Sequence, residues 1–175
     1  MLRRPAFLLV GPSGSGKSLT TWALLQHGCQ YLSDELAAIH LRTRDVLPYP
    51  HAICLKQDPP AAYPRPEQTL CTVRTWHLPA ATLPGGVRRE ATPLVAAFFL
   101  HYRREASHLM LRPLSHAAAT ARLLSNALNP LAHPDAGLDG AITLMAGVVP
   151  FELCAADPPA TCALILEAMG RVVNG

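Results

Sequence analysis

One stretch limits this chain more than any other. Gly11-Pro12-Ser13-Gly14-Ser15-Gly16-Lys17-Ser18 follows directly on the apolar run "AFLLV" (6–10) and fits G-x-x-x-x-G-K-[ST] in full. An uninterrupted apolar run of that length reads as a central parallel strand covered on both faces. The residues after it place Leu19, Trp22 and Leu25/Gln26 at helical spacing, with Gly28 as the stop. A strand, a glycine-rich loop and a helix in that order is the context in which such a loop binds phosphate. Its glycines let backbone N–H groups turn toward phosphate oxygens, and the helix adds the positive end of its dipole. In that arrangement Gly11, Pro12, Ser13, Gly14, Ser15, Gly16, Lys17 and Ser18 are the nucleotide-binding residues. Lys17 reaches the β- and γ-phosphates, and Ser18 supplies a hydroxyl to magnesium. The plainer alternative is a flexible Gly/Ser turn with an incidental lysine.

The 175 residues, half of them apolar, suffice for a single domain with a real core. A formal charge of +3 without runs of like charge does not favour nucleic acid as a partner. The opening "MLRRPAFLLV" is too short in its apolar part for a signal peptide, and no window is long enough for a membrane helix. Five cysteines, at 29, 54, 71, 154 and 162, are odd in number and never spaced CxxC. They read as buried thiols of a reducing compartment, so a cytoplasmic location is expected. The eight histidines show no HxxxH or HExxH spacing and are assigned no metal.

Beyond the first helix, "CQYLS" (29–33) reads as a second strand ending at Asp34-Glu35. "LAAIHL", "RTRD" and "VLPY" read as strand, turn and return strand, and "AICL" (52–55) as another strand. Residues 57–93 are proline-rich and read as irregular, with one strand at "LCTVRTW". "LVAAFFLHY" (94–102) and "SHLMLR" (107–112) read as paired strands around a turn at Arg103–Ala106. Ser115 caps a helix, "HAAATARLLSNAL", that Asn129-Pro130 ends, and a second helix covers 136–147. "VVPFELC" is a late strand, and Asp157-Pro158 opens a final helix that runs through Met169 and stops at Gly170.

Asp34 and Glu35 are the acids best placed for chemistry. At the carboxyl end of a parallel strand they would lie beside the phosphate loop, where a carboxylate holds magnesium or takes the proton of an attacking hydroxyl. The alternative is a turn cap. The chain has thirteen Arg and only two Lys, so Lys56 stands out as a second cation for a transferred phosphate or as a solvated strand end. Arg103-Arg104 carries the same pair of readings.

The loop, a ten-residue helix, a glycine and then "YLSDEL" together resemble the HPr kinase/phosphorylase family, in particular its short HPr-kinase-like members found with lasso peptide and related peptide-modification clusters. "YPHAICLK", "FFLHYRREASHLMLRPLSHAAATARLL" and "AGVVPFELCAADPPATCALILEAM" extend the resemblance over most of the chain. It implies an α/β fold: a P-loop nucleotide-binding core of HPr-kinase/PEP-carboxykinase type, with a mixed β-sheet flanked by helices, in one domain spanning 1–175. It implies that Gly11 to Ser18 bind ATP with Mg2+, with Lys17 among the catalytic residues. Asp34 then matches the first of the family's paired aspartates, which activate the hydroxyl and position the metal with Ser18. Glu35 stands where a second aspartate is usual. The histidine that bifunctional members carry before the first strand, and their glycine-rich signature after the acids, are not found in these residues.

The resulting expectation is an ATP-dependent kinase acting on a serine-type hydroxyl of a peptide or protein, without phosphorylase action on HPr. Its partners are the peptide or protein substrate and a further copy of itself, since relatives assemble as oligomers and a sheet lacking their leading strands needs cover at an edge. Neither nucleic acid nor membrane is expected. The alternatives are a nucleotide-binding regulator or scaffold without catalysis, and a small-molecule or nucleotide kinase, which the loop also resembles.

Overall fold

The computed structural model describes residues 5–102, 109–155 and 157–175. It is a mixed α/β protein whose mixed six-stranded sheet is flanked by helices. The strands are β1 (Ala6–Val10), β2 (Ala38–His40), β3 (Asp45–Leu47), β4 (Ile53–Leu55), β5 (Leu70–Cys71), β6 (Trp76–Leu78), β7 (Thr92–Tyr102), β8 (Met110–Pro113) and β9 (Val149–Ala155). The helices are α1 (Lys17–Gln26), α2 (His116–Ser125), α3 (Leu138–Met145) and α4 (Pro158–Asn174).

The eleven-residue β7 organises the sheet. Its run Leu94–Leu100 is apolar throughout, as a strand covered on both faces must be. It pairs in parallel with β1 on one side and with β9 on the other, and its first two residues meet β3 antiparallel. The register with β1 shifts between Ala6/Leu94 and Phe7/Ala96, so Val95 is the extra residue of a bulge. The bulge resets the alternation. Ala96, Phe98 and Leu100 face a core built with α1 and α4, while Leu94, Ala97 and Phe99 face a second core shared with Ala119 of α2 and Leu144 and Met145 of α3. Phe98 sits at the centre of the first core. It stacks on Phe151 at 5.2 Å and meets Phe7 edge-on at 5.7 Å, contacts each contributing about 0.5–1.5 kcal/mol beyond area burial. The small antiparallel sheet β4-β6-β5 adds Ile53, Leu55 and Leu78 to the same core, so it is not a separate unit.

Several sequence expectations meet this architecture differently. β1 is not central: among the described residues it pairs with β7 alone. Phe7, Leu8 and Leu9 accordingly remain partly exposed although the run is wholly apolar. "CQYLS" is no strand of the main sheet. Only Tyr31 forms a bridge, parallel to Val87, through Tyr31 N–H to Gly86 O (3.0 Å) and Arg88 N–H to Tyr31 O (2.8 Å). "LCTVRTW" is not one strand either, because Thr72 and Thr75 exchange bonds and fold the chain back between β5 and β6. β7 and β8 are not partners: β9 lies between them, parallel to one and antiparallel to the other. The expected turn at 103–106 lies outside the described residues.

The helices differ mainly at their ends. Ser115 caps α2 as expected, its Oγ accepting from Ala118 N–H. The helix stops before Asn129, where Ser125 Oγ and Asn126 Nδ2 donate to the Ala121 and Arg122 carbonyls and compete with the backbone. Asp157 caps α4, but Gly170 does not end it. A mid-helix glycine costs only about 1 kcal/mol, and the turn that continues past it carries the Glu167–Arg171 ion pair at 2.9 Å. The cysteines are not uniformly buried: Cys162 is enclosed in the core and burial pushes its thiol up to about 12, whereas Cys71 is exposed.

At the end of the sheet, Glu152 is buried against Arg112, Arg122 (2.8 Å) and His101 (3.6 Å). Burial pushes its pKa up, but the two guanidiniums outweigh that and hold it below the ordinary glutamate range. No helix among the described residues is long and apolar enough to cross a membrane.

Candidate functional site

The site begins where β1 ends. Val10 pairs with Phe99, which sets Gly11 against the backbone of Leu100. A Cβ on Gly11 would stand 2.8 Å from the Leu100 carbonyl oxygen and 2.7 Å from Ser15 Oγ, so only glycine fits. Gly14 and Gly16 take φ of 83° and 88°, which lets the chain reverse tightly between Pro12 and α1. Ser15 N–H donates to Pro12 O (3.2 Å), and Thr20 N–H to Gly16 O (2.9 Å) starts the helix. No side chain caps α1 at Gly16, so the loop and the positive dipole end of the helix face the same place.

Lys17 folds back over this loop, with Nζ donating to Gly11 O (2.6 Å) and Pro12 O (2.9 Å). Lys56 approaches from the end of β4, its Nζ donating to Ser13 Oγ at 3.0 Å. The only two lysines of the chain thus meet on one eight-residue loop; Lys56 is an exposed strand end, as one of its two readings expects, and from there it touches the loop. Burial lowers the pKa of Lys17; the charge of Asp34 opposes this and that of Lys56 adds to it. The net direction is downward. Two ammonium groups and the Asp34 carboxylate thus lie within electrostatic reach of one another at the loop.

Asp34 reaches the same place, though from a bend and not from a strand end. Ser33 Oγ donates to Leu36 O and closes the turn that carries Asp34 and Glu35. Burial raises the pKa of Asp34 above the ordinary range. The Ser18 hydroxyl and the Cys54 backbone amide favour its charged form, Glu35 disfavours it, and Lys17 favours it. Its Oδ2 is buried without a hydrogen-bond partner, as is Ser15 Oγ inside the loop. Buried acceptors are normally satisfied, and an orphan at such a position suits a water or a bound cation. Glu35 is exposed and acts on Asp34 through its field. Arg103 and Arg104 lie outside the described residues.

The donor set suits magnesium better than zinc. Among the described residues no three His, Cys, Asp or Glu side chains come together as metal ligands. What the loop offers is one hydroxyl, Ser18, and one carboxylate oxygen without a partner, Asp34 Oδ2. Magnesium takes one or two protein oxygens and completes its shell with water and substrate phosphate.

Beside the loop opens a cavity of about 850 Å3, which touches the loop only at Gly11 and Lys17. It runs along the whole of β1 and includes Asp34 and Glu35 in its wall. It is therefore not the glycine loop itself but the space next to it. The sequence reading missed this groove, because an apolar strand that pairs on one side alone among the described residues looks like any buried strand until the pairing is known. In comparison with known proteins, the chain matches no protein-family model, no curated protein and no solved structure.

Proposed function

We propose that the chain is a P-loop kinase of HPr-kinase-like type that uses ATP and Mg2+ to phosphorylate a serine-type hydroxyl of a peptide or protein. The observation that carries this reading is the meeting of Lys17, Lys56, Ser18 and Asp34 at one glycine loop, with Asp34 Oδ2 left unpartnered. A carboxylate beside the cations can hold the magnesium of bound ATP through one oxygen and leave the other to take a proton. A loop that delivers phosphate to a hydroxyl gains rate from a proton acceptor at that position.

In this reading the loop N–H groups that are not bonded within the loop and the two ammonium groups hold the phosphates of ATP, and Ser18 Oγ and Asp34 would hold magnesium. The metal, when bound, draws negative charge from the phosphate oxygens. Asp34 accepts the proton of the incoming hydroxyl while the hydroxyl oxygen bonds to the γ-phosphorus and the bond from that phosphorus to ADP breaks. Burial helps here, since a carboxylate with a raised pKa is the better proton acceptor near neutral pH. Such an enzyme works where ATP is abundant, in the cytoplasm.

The direct test follows label from the γ-phosphate of ATP into a serine-containing peptide encoded beside the gene, with nucleotide binding measured in parallel. Transfer is the expected result. ATP binding without transfer to any peptide or protein hydroxyl would make the chain a nucleotide-binding regulator. A finer check concerns Ser18. Ser18→Ala should weaken ATP binding about tenfold in magnesium, as the loss of one charge-assisted contact does, and hardly at all in a chelator. Equal losses by calorimetry in both conditions would show that the hydroxyl only shapes the loop.

A further inference from the structure

The open edge of β1 is the least explained feature of the molecule. Exposed strand edges are normally blunted by charge, proline, a bulge on the open side or a covering loop. β1 carries neither charge nor proline, and its bulge lies on the β7 side; the segment 30–39 lines the same groove and packs Leu32 and Ile39 toward Leu8, yet among the described residues no backbone group bonds to the second edge of β1. It also lies at the floor of the 850 Å3 groove. Leu24 and Leu25 of α1 wall the groove on one face of the sheet, and Leu123, Leu124 and Leu144 on the other. Walls on both faces favour one occupant shape. A second copy would bring a β1 recessed in the same way, and two recessed edges do not reach each other. A single extended segment does.

We propose that β1 receives an extended segment of the acceptor peptide as an added strand; this rests on the kinase reading above and names its substrate class. Both faces of the groove being apolar, the segment is a continuous apolar run, as strands buried on two sides are, of about the five residues that β1 can pair. The groove is also acidic. Asp135 and Asp139 are exposed on its rim without an ion-pair partner among the described residues, and Asp34 and Glu35 stand at the loop end, against Lys17 and Arg88. The segment therefore carries basic residues beside its apolar run. Because β1 leads straight into Gly11, a segment paired with it ends at Lys17 and Asp34, and a hydroxyl there meets the phosphate.

The experiment uses the full chain without nucleotide and two synthetic peptides, each with two lysines, a five-residue valine/leucine run and a serine, in forward and reversed order. Amide hydrogen exchange at Ala6–Val10 is followed on titration. One order should slow exchange there by about tenfold or more, as new strand pairing does. Of two versions N-methylated on alternate residues of the run, only one should retain this protection, because only one edge of an added strand faces β1. Asp135→Asn with Asp139→Asn should weaken the lysine-bearing peptide and leave a lysine-free analogue unchanged. Protection by neither order, or equal protection by both methylated versions, overturns strand addition. So does protection that grows with protein concentration alone, which would put a second copy on β1. ATP-Mg binding and label transfer on the same samples separate the two readings. Docking without transfer to any acceptor removes the kinase and keeps the groove; transfer without β1 protection does the reverse.

Discussion

Asp34→Asn should lower single-turnover phosphate transfer by roughly 10²–10⁴-fold while ATP still binds. A neutral hydroxyl is a poor nucleophile, and the amide keeps the size of the carboxylate without its ability to accept the proton. The pH dependence gives the same residue a second signature. Burial raises the pKa of Asp34 in the free protein, so kcat/KM, which reports the free enzyme, should climb with pH through a limb above the ordinary aspartate range, and the Asn variant should lack that limb. The stability effect has the opposite sign. The folded chain binds this proton more tightly than the unfolded one, so stability falls as pH rises from the ordinary aspartate pKa through the raised one, and the loss persists at neutral pH. Removing the charge should therefore stabilise the protein at pH 7. A gain of about 1 kcal/mol would raise Tm by roughly 2–4 °C for a chain of this size. A variant that is slower and more stable fits a catalytic carboxylate. Near-wild-type transfer would leave Asp34 as a turn residue, and Glu35→Gln, measured in parallel, would show whether the exposed neighbour had taken the role.

The second large effect is on nucleotide binding. Lys17→Ala should weaken ATP-Mg affinity by about 10²-fold or more, since charge-assisted bonds to phosphate are among the strongest single contacts, about 1.5–3 kcal/mol each. The fold should survive. In the free protein the ammonium bonds only to the loop carbonyls of Gly11 and Pro12, and its charge is held at the cost of burial. The change in stability should stay within about 1 kcal/mol. Calorimetry and thermal melts on the same sample check both halves. Unchanged affinity in a folded Lys17→Ala protein would remove the phosphate-loop assignment and the kinase reading with it.

Local chemistry was legible in the sequence wherever it acts over a few residues. The apolar run at 6–10, the glycines at 14 and 16 that accept left-handed backbone, the helix begun at Lys17 and the caps at Ser115 and Asp157 all follow from short-range sterics and hydrogen bonding. So does the hairpin of β2 and β3. Asp34 could be placed near the loop because only a helix and a short return separate the two.

Pairing across the sheet was decided elsewhere. Nothing in "LVAAFFLHY" or "SHLMLR" says that a strand forty residues later enters between them, because apolar strands satisfy one another's hydrogen bonds without regard to sequence distance. The contact of Lys56 with Ser13 depends on a second small sheet packing under α1, which the proline-rich segment did not announce. The sequence alone determined the loop, its two lysine candidates and the acids. Only the tertiary structure decided that β1 pairs on one side alone among the described residues, that one oxygen of Asp34 is buried without a hydrogen-bond partner, and that a groove joins the two. Burial and strand pairing are properties of the whole packed chain, and no window of residues encodes them by itself.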